Sequence, residues 1–203
     1  MKPVFYLLLF FPFFLFSQTD WQQKADYEMT VDIDVKTFGF NGTQEILYTN
    51  NSPDTIRKVY YHLYFNAFKP GSQMDIRSLN ISDPDRRVKD RISKLKKNEE
   101  GSLSVFELKQ DGKLLQPKQE ETVLLARLKK DLLPGKKTKL TLSFRGVVPK
   151  QIRRSGRNNK DSVALSMTQW FPKLAEYDFE GWHPNPYIAR EFHGVWGDYN
   201  VKI

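Results

Sequence analysis

The chain has 203 residues, with 32 Lys and Arg against 24 Asp and Glu and a formal net charge of +8. The two signs are interspersed, which reads as a solubilising surface rather than a nucleic-acid footprint. There is no cysteine, so disulfide staples, thiol catalysis and thiolate metal sites are excluded.

Met1 to Ser17 combine one positive charge at Lys2, an apolar run from Val4 to Phe16 interrupted by Pro12, and a small residue at the end. These are the parts of a secretory signal peptide, and the run falls short of the about 20 residues that span a bilayer. The expectation is cleavage after Ser17 and export to a periplasmic or extracellular location. Losing Lys2 then lowers the formal charge from +8 to +7. Residues 18–203, about 185 in number, suit a single domain large enough to build a core without staples.

Asp26 to Lys36 carries Tyr27, Met29, Val31, Ile33 and Val35 on one face and polar residues on the other, the two-residue period of a half-buried strand. Phe38 to Gly42 predicts a turn and Thr43 to Thr49 a returning strand. Asn50-Asn-Ser-Pro-Asp54 is a loop cluster, since each of its residues favours non-helical backbone. Ile56 to Phe65 is largely apolar and aromatic, interrupted at Arg57, Lys58 and His62, and reads as a segment covered on both faces. Asn66 to Ser102 breaks the pattern and reads as a long, charged, solvated excursion with one short helix.

Strand patterning resumes at Leu103, Val105 and Phe106, and Asp111-Gly112 marks a hairpin turn. Thr122 to Leu128 is the next strand, Leu133-Pro-Gly-Lys136 a turn, and Leu140, Leu142 and Phe144 alternate on the strand after it. Gln151 to Lys160 is a basic loop, and Val163 to Phe171 predicts a further strand. Pro172 to Gly197 is an aromatic, irregular segment. The closing Tyr199, Val201 and Ile203 alternate with Asn200 and Lys202, a half-buried strand again. Seven or more short strands separated by turn signals predict an all-β sandwich, a saddle-shaped sheet domain with long irregular loops.

The order of Gln110-Asp-Gly-Lys113, Leu133-Pro-Gly-Lys136, Phe144-Arg-Gly146, Thr168-Gln169 and the closing Gly197-Asp-Tyr-Asn-Val-Lys-Ile203 resembles the amino-terminal β domain of aminopeptidase N-like zinc metallopeptidases of exported bacterial type. The resemblance covers Trp21 to Ile203. It implies a non-catalytic domain that walls a substrate cleft and helps to position peptide amino termini. Its implied partners are a catalytic metallopeptidase domain, normally in the same chain, and a peptide substrate. In that family zinc sits on a His-Glu-x-x-His helix of the catalytic domain, where the glutamate polarises the attacking water. None of His62, His183 and His193 is followed by Glu-x-x-His. The expectation is therefore a chain that stops before the catalytic domain, holds no cofactor and no catalytic residue of its own, and is inactive alone.

The family's amine-gripping residue lies two positions beyond the Gln of the Thr-Gln pair and is normally Glu or Gln. Here it is Phe171, whose ring cannot accept a charge-assisted hydrogen bond from an ammonium. Gln169, Glu176 and Asp178 are the candidate substitutes, and Glu191 stands near the family's following glutamate. His183 and His193 are ten apart, a spacing that matches no helix or hairpin pairing, so they read as structural histidines and no metal site is assigned. Asp75, Asp83, Asp85 and Asp90 lack the alternation and central glycine of a calcium loop. Arg153, Arg154, Arg157 and Lys160 read as a hydrated basic loop. A free-standing envelope β-sandwich that binds peptide or protein is the alternative to the peptidase reading. A third reading, a hydrolase with a site in the aromatic segment, rests only on carboxylates near histidines.

Overall fold

The computed structural model describes residues 21–81, 88–158, 162–189 and 192–203. The expected signal peptide, Asp83, Asp85, Lys160 and Glu191 lie outside the described residues.

Period-two patterning makes the first strand. In β1 (Lys24–Asp34) Ala25, Tyr27, Met29 and Val31 are buried while Glu28, Thr30 and Asp32 face solvent. The expected strand ran two residues further, but Asp34 ends it. Its Oδ1 accepts from the backbone N–H groups of Lys36 (2.8 Å) and Thr37 (3.3 Å), and its Oδ2 from Thr37 Oγ1 (2.7 Å). Such a local side-chain bond offers the backbone an alternative to the ladder. Val35 is left exposed, and β2 (Gly39–Thr49) starts four residues before the expected Thr43.

The remaining elements follow as β3 (Ile56–His62), α1 (Gln73–Asn80), β4 (Ser102–Gln110), β5 (Lys113–Leu114), β6 (Lys118–Glu120), β7 (Val123–Leu132) and β8 (Lys137–Val147). Six short strands close the chain: β9 (Gly156–Arg157), β10 (Leu165–Ser166), β11 (Lys173–Leu174), β12 (Tyr177–Asp178), β13 (Gly181–Trp182) and β14 (Tyr199–Lys202). They form a six-stranded sheet in the order β14-β1-β2-β8-β4-β5, a four-stranded sheet β11-β3-β7-β6, and two two-stranded ribbons, β9-β10 and β12-β13. Among these strands the pairings are antiparallel except β14 on β1. One continuous core joins Tyr27, Phe40, Tyr48, Leu142 and Phe144 of the larger sheet to Val59, Tyr61, Leu124 and Ala126 of the smaller. This is an all-β sandwich, as the patterning predicts.

Three local expectations change. The 66–102 excursion is anchored rather than solvated throughout, since Val88 and Ile92 are fully buried and Leu95 nearly so. The strand expected over Val163 to Phe171 shrinks to Leu165–Ser166: Ser155 Oγ takes the Thr168 N–H (2.6 Å), and Gln169 turns the chain with φ 55°. The closing strand does not alternate in burial. Tyr199, Val201 and Ile203 are all exposed, because β14 is an outermost strand whose only neighbour is β1.

The centre of the large sheet holds a reciprocal arrangement. Phe40 of β2 lies opposite Gly146 of β8, and Phe144 of β8 lies opposite Gly42 of β2. A Cβ on Gly146 would sit 2.1 Å from Phe40 Cζ, and one on Gly42 would sit 2.4 Å from Phe144 Cζ. Each phenyl ring occupies the space its cross-strand glycine leaves. Overpacking a closed core costs about 1–3 kcal/mol, so Gly146→Ala is expected to lower the unfolding free energy by about 2 kcal/mol. Urea titration reads this as a lower midpoint at unchanged slope, and an unchanged midpoint would mean that Phe40 has room to move.

Candidate functional site

The irregular 173–196 segment is pinned to the sandwich at several places. β11 pairs with the end of β3, Lys173 opposite His62 and Leu174 opposite Tyr61, and the Ala175 N–H donates to Tyr60 O (2.8 Å). The chain then folds into the tight β12-β13 hairpin, where Gly181 at φ 101° supplies backbone that side-chain-bearing residues rarely adopt. Tyr177 fixes this hairpin by donating to Asp54 Oδ2 (2.9 Å) and stacking with Trp21 at 5.9 Å. Downstream, Gly194 bridges to Ala175 and the Ala25 N–H donates to Trp196 O (2.8 Å).

These pins bring together residues that are far apart along the segment. His183 follows the hairpin, its N–H donating to Glu176 O (3.0 Å), and its Nε2 lies 2.8 Å from Asp178 Oδ1. His193, delivered by the Gly194 bridge, places its Nε2 3.7 Å from Asp178 Oδ2. The two imidazoles meet edge to face with centroids 4.7 Å apart. One donor atom each from Asp178, His183 and His193 lies within 4.8 Å of the others.

The cluster opens onto a cavity of about 1210 Å³ lined by Glu176, Asp178 and His193 together with Trp21, Phe179 and Trp196. Phe179 and Trp196 are 87% and 70% exposed, far more than large apolar side chains usually are. Partial burial alone would raise the Asp178 carboxyl. Contact with His183, the Glu180 N–H and the nearby His193 outweighs it and holds the group below the usual carboxylate range. Glu176 behaves oppositely. Burial pushes its carboxyl up, the Tyr177 N–H offsets part of this, and the Asp178 charge adds to the rise. Two acids two residues apart are thus driven in opposite directions.

Of the three sequence candidates, Glu176 and Asp178 share this cavity, and Gln169 does not line it. Gln169 Oε1 is buried and accepts no hydrogen bond among the described residues. Phe171 is packed edge-on against Tyr27 (5.7 Å) and Tyr199 (5.8 Å), so its ring belongs to an aromatic cluster beside the β1-β14 edge. The basic loop is less hydrated than expected: Arg153 is buried against Tyr187, and Arg157 lies over the Phe38 ring and donates through Nε to Val148 O (3.1 Å). Sequence reasoning missed the meeting of His183 with His193, which depends on two pairings that no local spacing encodes.

No family model matches the sequence, and no curated protein matches it. Solved structures do. One is the M1 zinc metallopeptidase from Deinococcus radiodurans, at TM-score 0.44 and 10% identity over 89% of this chain and 32% of that one. Another is a two-domain M1 zinc metallopeptidase variant bound to L-tryptophan, at TM-score 0.47 and 12% identity over the same shares. This chain spans about a third of the length of those proteins, 32% in each case.

Proposed function

We propose that residues 18–203 are the non-catalytic β domain of an exported zinc aminopeptidase, with residues 1–17 as its leader. On this reading the domain walls one side of the substrate cleft and helps to position peptide amino termini. Its partner is a catalytic domain, in the same polypeptide, that holds zinc on His-Glu-x-x-His. The ordered series of turns and the Thr168-Gln169 pair support the assignment to that family.

The observation that carries the role is the pair of carboxylates, Glu176 and Asp178, beside a cavity rimmed by exposed aromatic rings. A peptide's terminal ammonium is matched by a carboxylate through charge-assisted hydrogen bonds and by an aromatic face through cation–π attraction. Gln169 does not line that cavity, and the grip is assigned to Glu176 and Asp178.

The test compares peptides with free and acetylated amino ends on this chain and on the polypeptide that also carries the catalytic domain. Hydrolysis is expected only from the longer protein. There Glu176→Gln is expected to raise KM for free-amine peptides about tenfold, as losing a hydrogen bond to a charged group does. Chelator-sensitive hydrolysis by this chain alone, or equal handling of acetylated peptides, would sink the reading.

A further inference from the structure

We propose that Asp178, His183 and His193 form a binding site for a divalent first-row transition cation, zinc being the best match, with one coordination position left toward the aromatic-rimmed cavity. This site is separate from any His-Glu-x-x-His centre and does not rest on the peptidase reading. It also departs from the expectation that the chain holds no metal.

The donor set comes first. Two imidazoles and one carboxylate suit zinc and its neighbours, whereas calcium and magnesium take oxygen donors. The spacing comes next. Zinc bonds of 2.0–2.1 Å at tetrahedral angles place donor atoms about 3.4 Å apart. The observed separations of 2.8 Å and 3.7 Å from Asp178 to the two imidazoles bracket that value. The three donor atoms all lie within 4.8 Å of one another.

Orientation adds an independent observation. His183 Nε2 is buried, lies 2.8 Å from Asp178 Oδ1, and is otherwise without a hydrogen-bond partner among the described residues. Nitrogen and oxygen that share a cation each point at the ion rather than at one another. The imidazoles pack edge to face, 74° between planes, and a ring nitrogen of each lies within 4.8 Å of the other and of an Asp178 oxygen.

The backbone holds this geometry in place. Asp178 Oδ1 accepts from the Glu180 N–H (2.8 Å), the His183 N–H is tied to Glu176 O (3.0 Å), and His193 sits beside the Ala175–Gly194 bridge. Supporting bonds of this kind orient metal ligands and tune their affinity. Asp178 and His193 both line the cavity, so the position left by three protein ligands is open to water or to a donor on a bound molecule.

The test uses the untagged chain, stripped with chelator and titrated with zinc chloride by calorimetry, with elemental analysis of the dialysed product. One zinc per chain is expected. His193→Gln and Asp178→Asn are each expected to weaken binding about tenfold or more. Zinc should raise the unfolding temperature of the parent chain by clearly more than that of either variant, by linkage. Cobalt substitution supplies a readout that a purely structural role would not give: visible absorption of a nitrogen- and oxygen-ligated ion that His193→Gln abolishes. His193 is the solvent-exposed member of the triad, so its variant keeps the fold testable. No binding by the parent chain, or equal binding by His193→Gln, would overturn the proposal.

Discussion

Replacing Asn50 by aspartate is expected to lower the unfolding free energy by about 3–5 kcal/mol, the range for leaving an uncompensated charge in a protein interior. Asn50 is fully buried in the link between β2 and β3, the crossing from one sheet to the other. Its amide donates to Asp54 O (2.7 Å) and Leu132 O (3.0 Å). Its Oδ1 accepts from Gln23 Nε2 (3.2 Å), the Ser52 N–H (3.1 Å) and Ser52 Oγ (2.6 Å). Its own backbone joins the β7-β8 turn through Lys136 O (2.9 Å) and the Gly135 N–H (2.7 Å). A carboxylate of the same shape keeps the acceptor side but has no proton for either carbonyl, and it puts negative charge against both of them. Urea unfolding at neutral pH measures the loss. A cost below about 1 kcal/mol would mean that water reaches these carbonyls and replaces the amide.

The second large effect is acid sensitivity centred on His62. Burial lowers its pKa to about 4, a contact with the His183 backbone opposes this, and the charges of Lys173 and His193 lower it further. Neither ring nitrogen has a hydrogen-bond partner among the described residues, and the ring stacks on Tyr64 at 5.1 Å. The folded state therefore holds His62 neutral where the unfolded chain, with a pKa near 6.5, already binds a proton. Between those two values the unfolded state carries more protons, so stability falls as pH is lowered. The full loss is roughly 3 kcal/mol, present above about pH 6.5 and gone near pH 4. Denaturant midpoints across this window, in chelator to keep metal binding out of the signal, give the slope. His62→Phe keeps the stacking surface and should flatten it. An equally steep profile in that variant would place the acid sensitivity elsewhere.

The two-residue period was legible wherever one face of a strand meets the core. Tyr27, Met29 and Val31, or Leu140, Leu142 and Phe144, are buried as their alternation predicts. Turn chemistry was legible too: Asp111 and Gly112 have φ 47° and 80°, as a two-residue hairpin loop requires. What escaped the sequence depends on bonds made at a distance. Val35 continues the pattern of β1, yet the Asp34 carboxylate decides where the strand stops. Tyr199 and Val201 alternate like buried residues, but β14 is the outermost strand of its sheet and leaves both exposed. Glu176 and Asp178 were named as substitutes for the amine-gripping position that Phe171 occupies, and both line the cavity. The meeting of their histidine neighbours was not legible, because a hairpin at Gly181 and a bridge at Gly194 bring His183 to His193, and neither leaves a periodic trace.

The paired rings and glycines at the centre of the large sheet solve an alignment problem. β2 and β8 are almost a hundred residues apart in the chain, so no short turn dictates how they line up. Sliding one past the other by two positions would keep the same faces inward and so escape a purely hydrophobic filter. In one direction Phe40 would collide with Phe144. In the other, Gly42 would face Gly146 across a void and Phe144 would press on the buried Gln44. Each mistake is penalised by sterics or by an empty space, so the bulky and the absent side chains together work as a key that fits the long-range pairing in one setting.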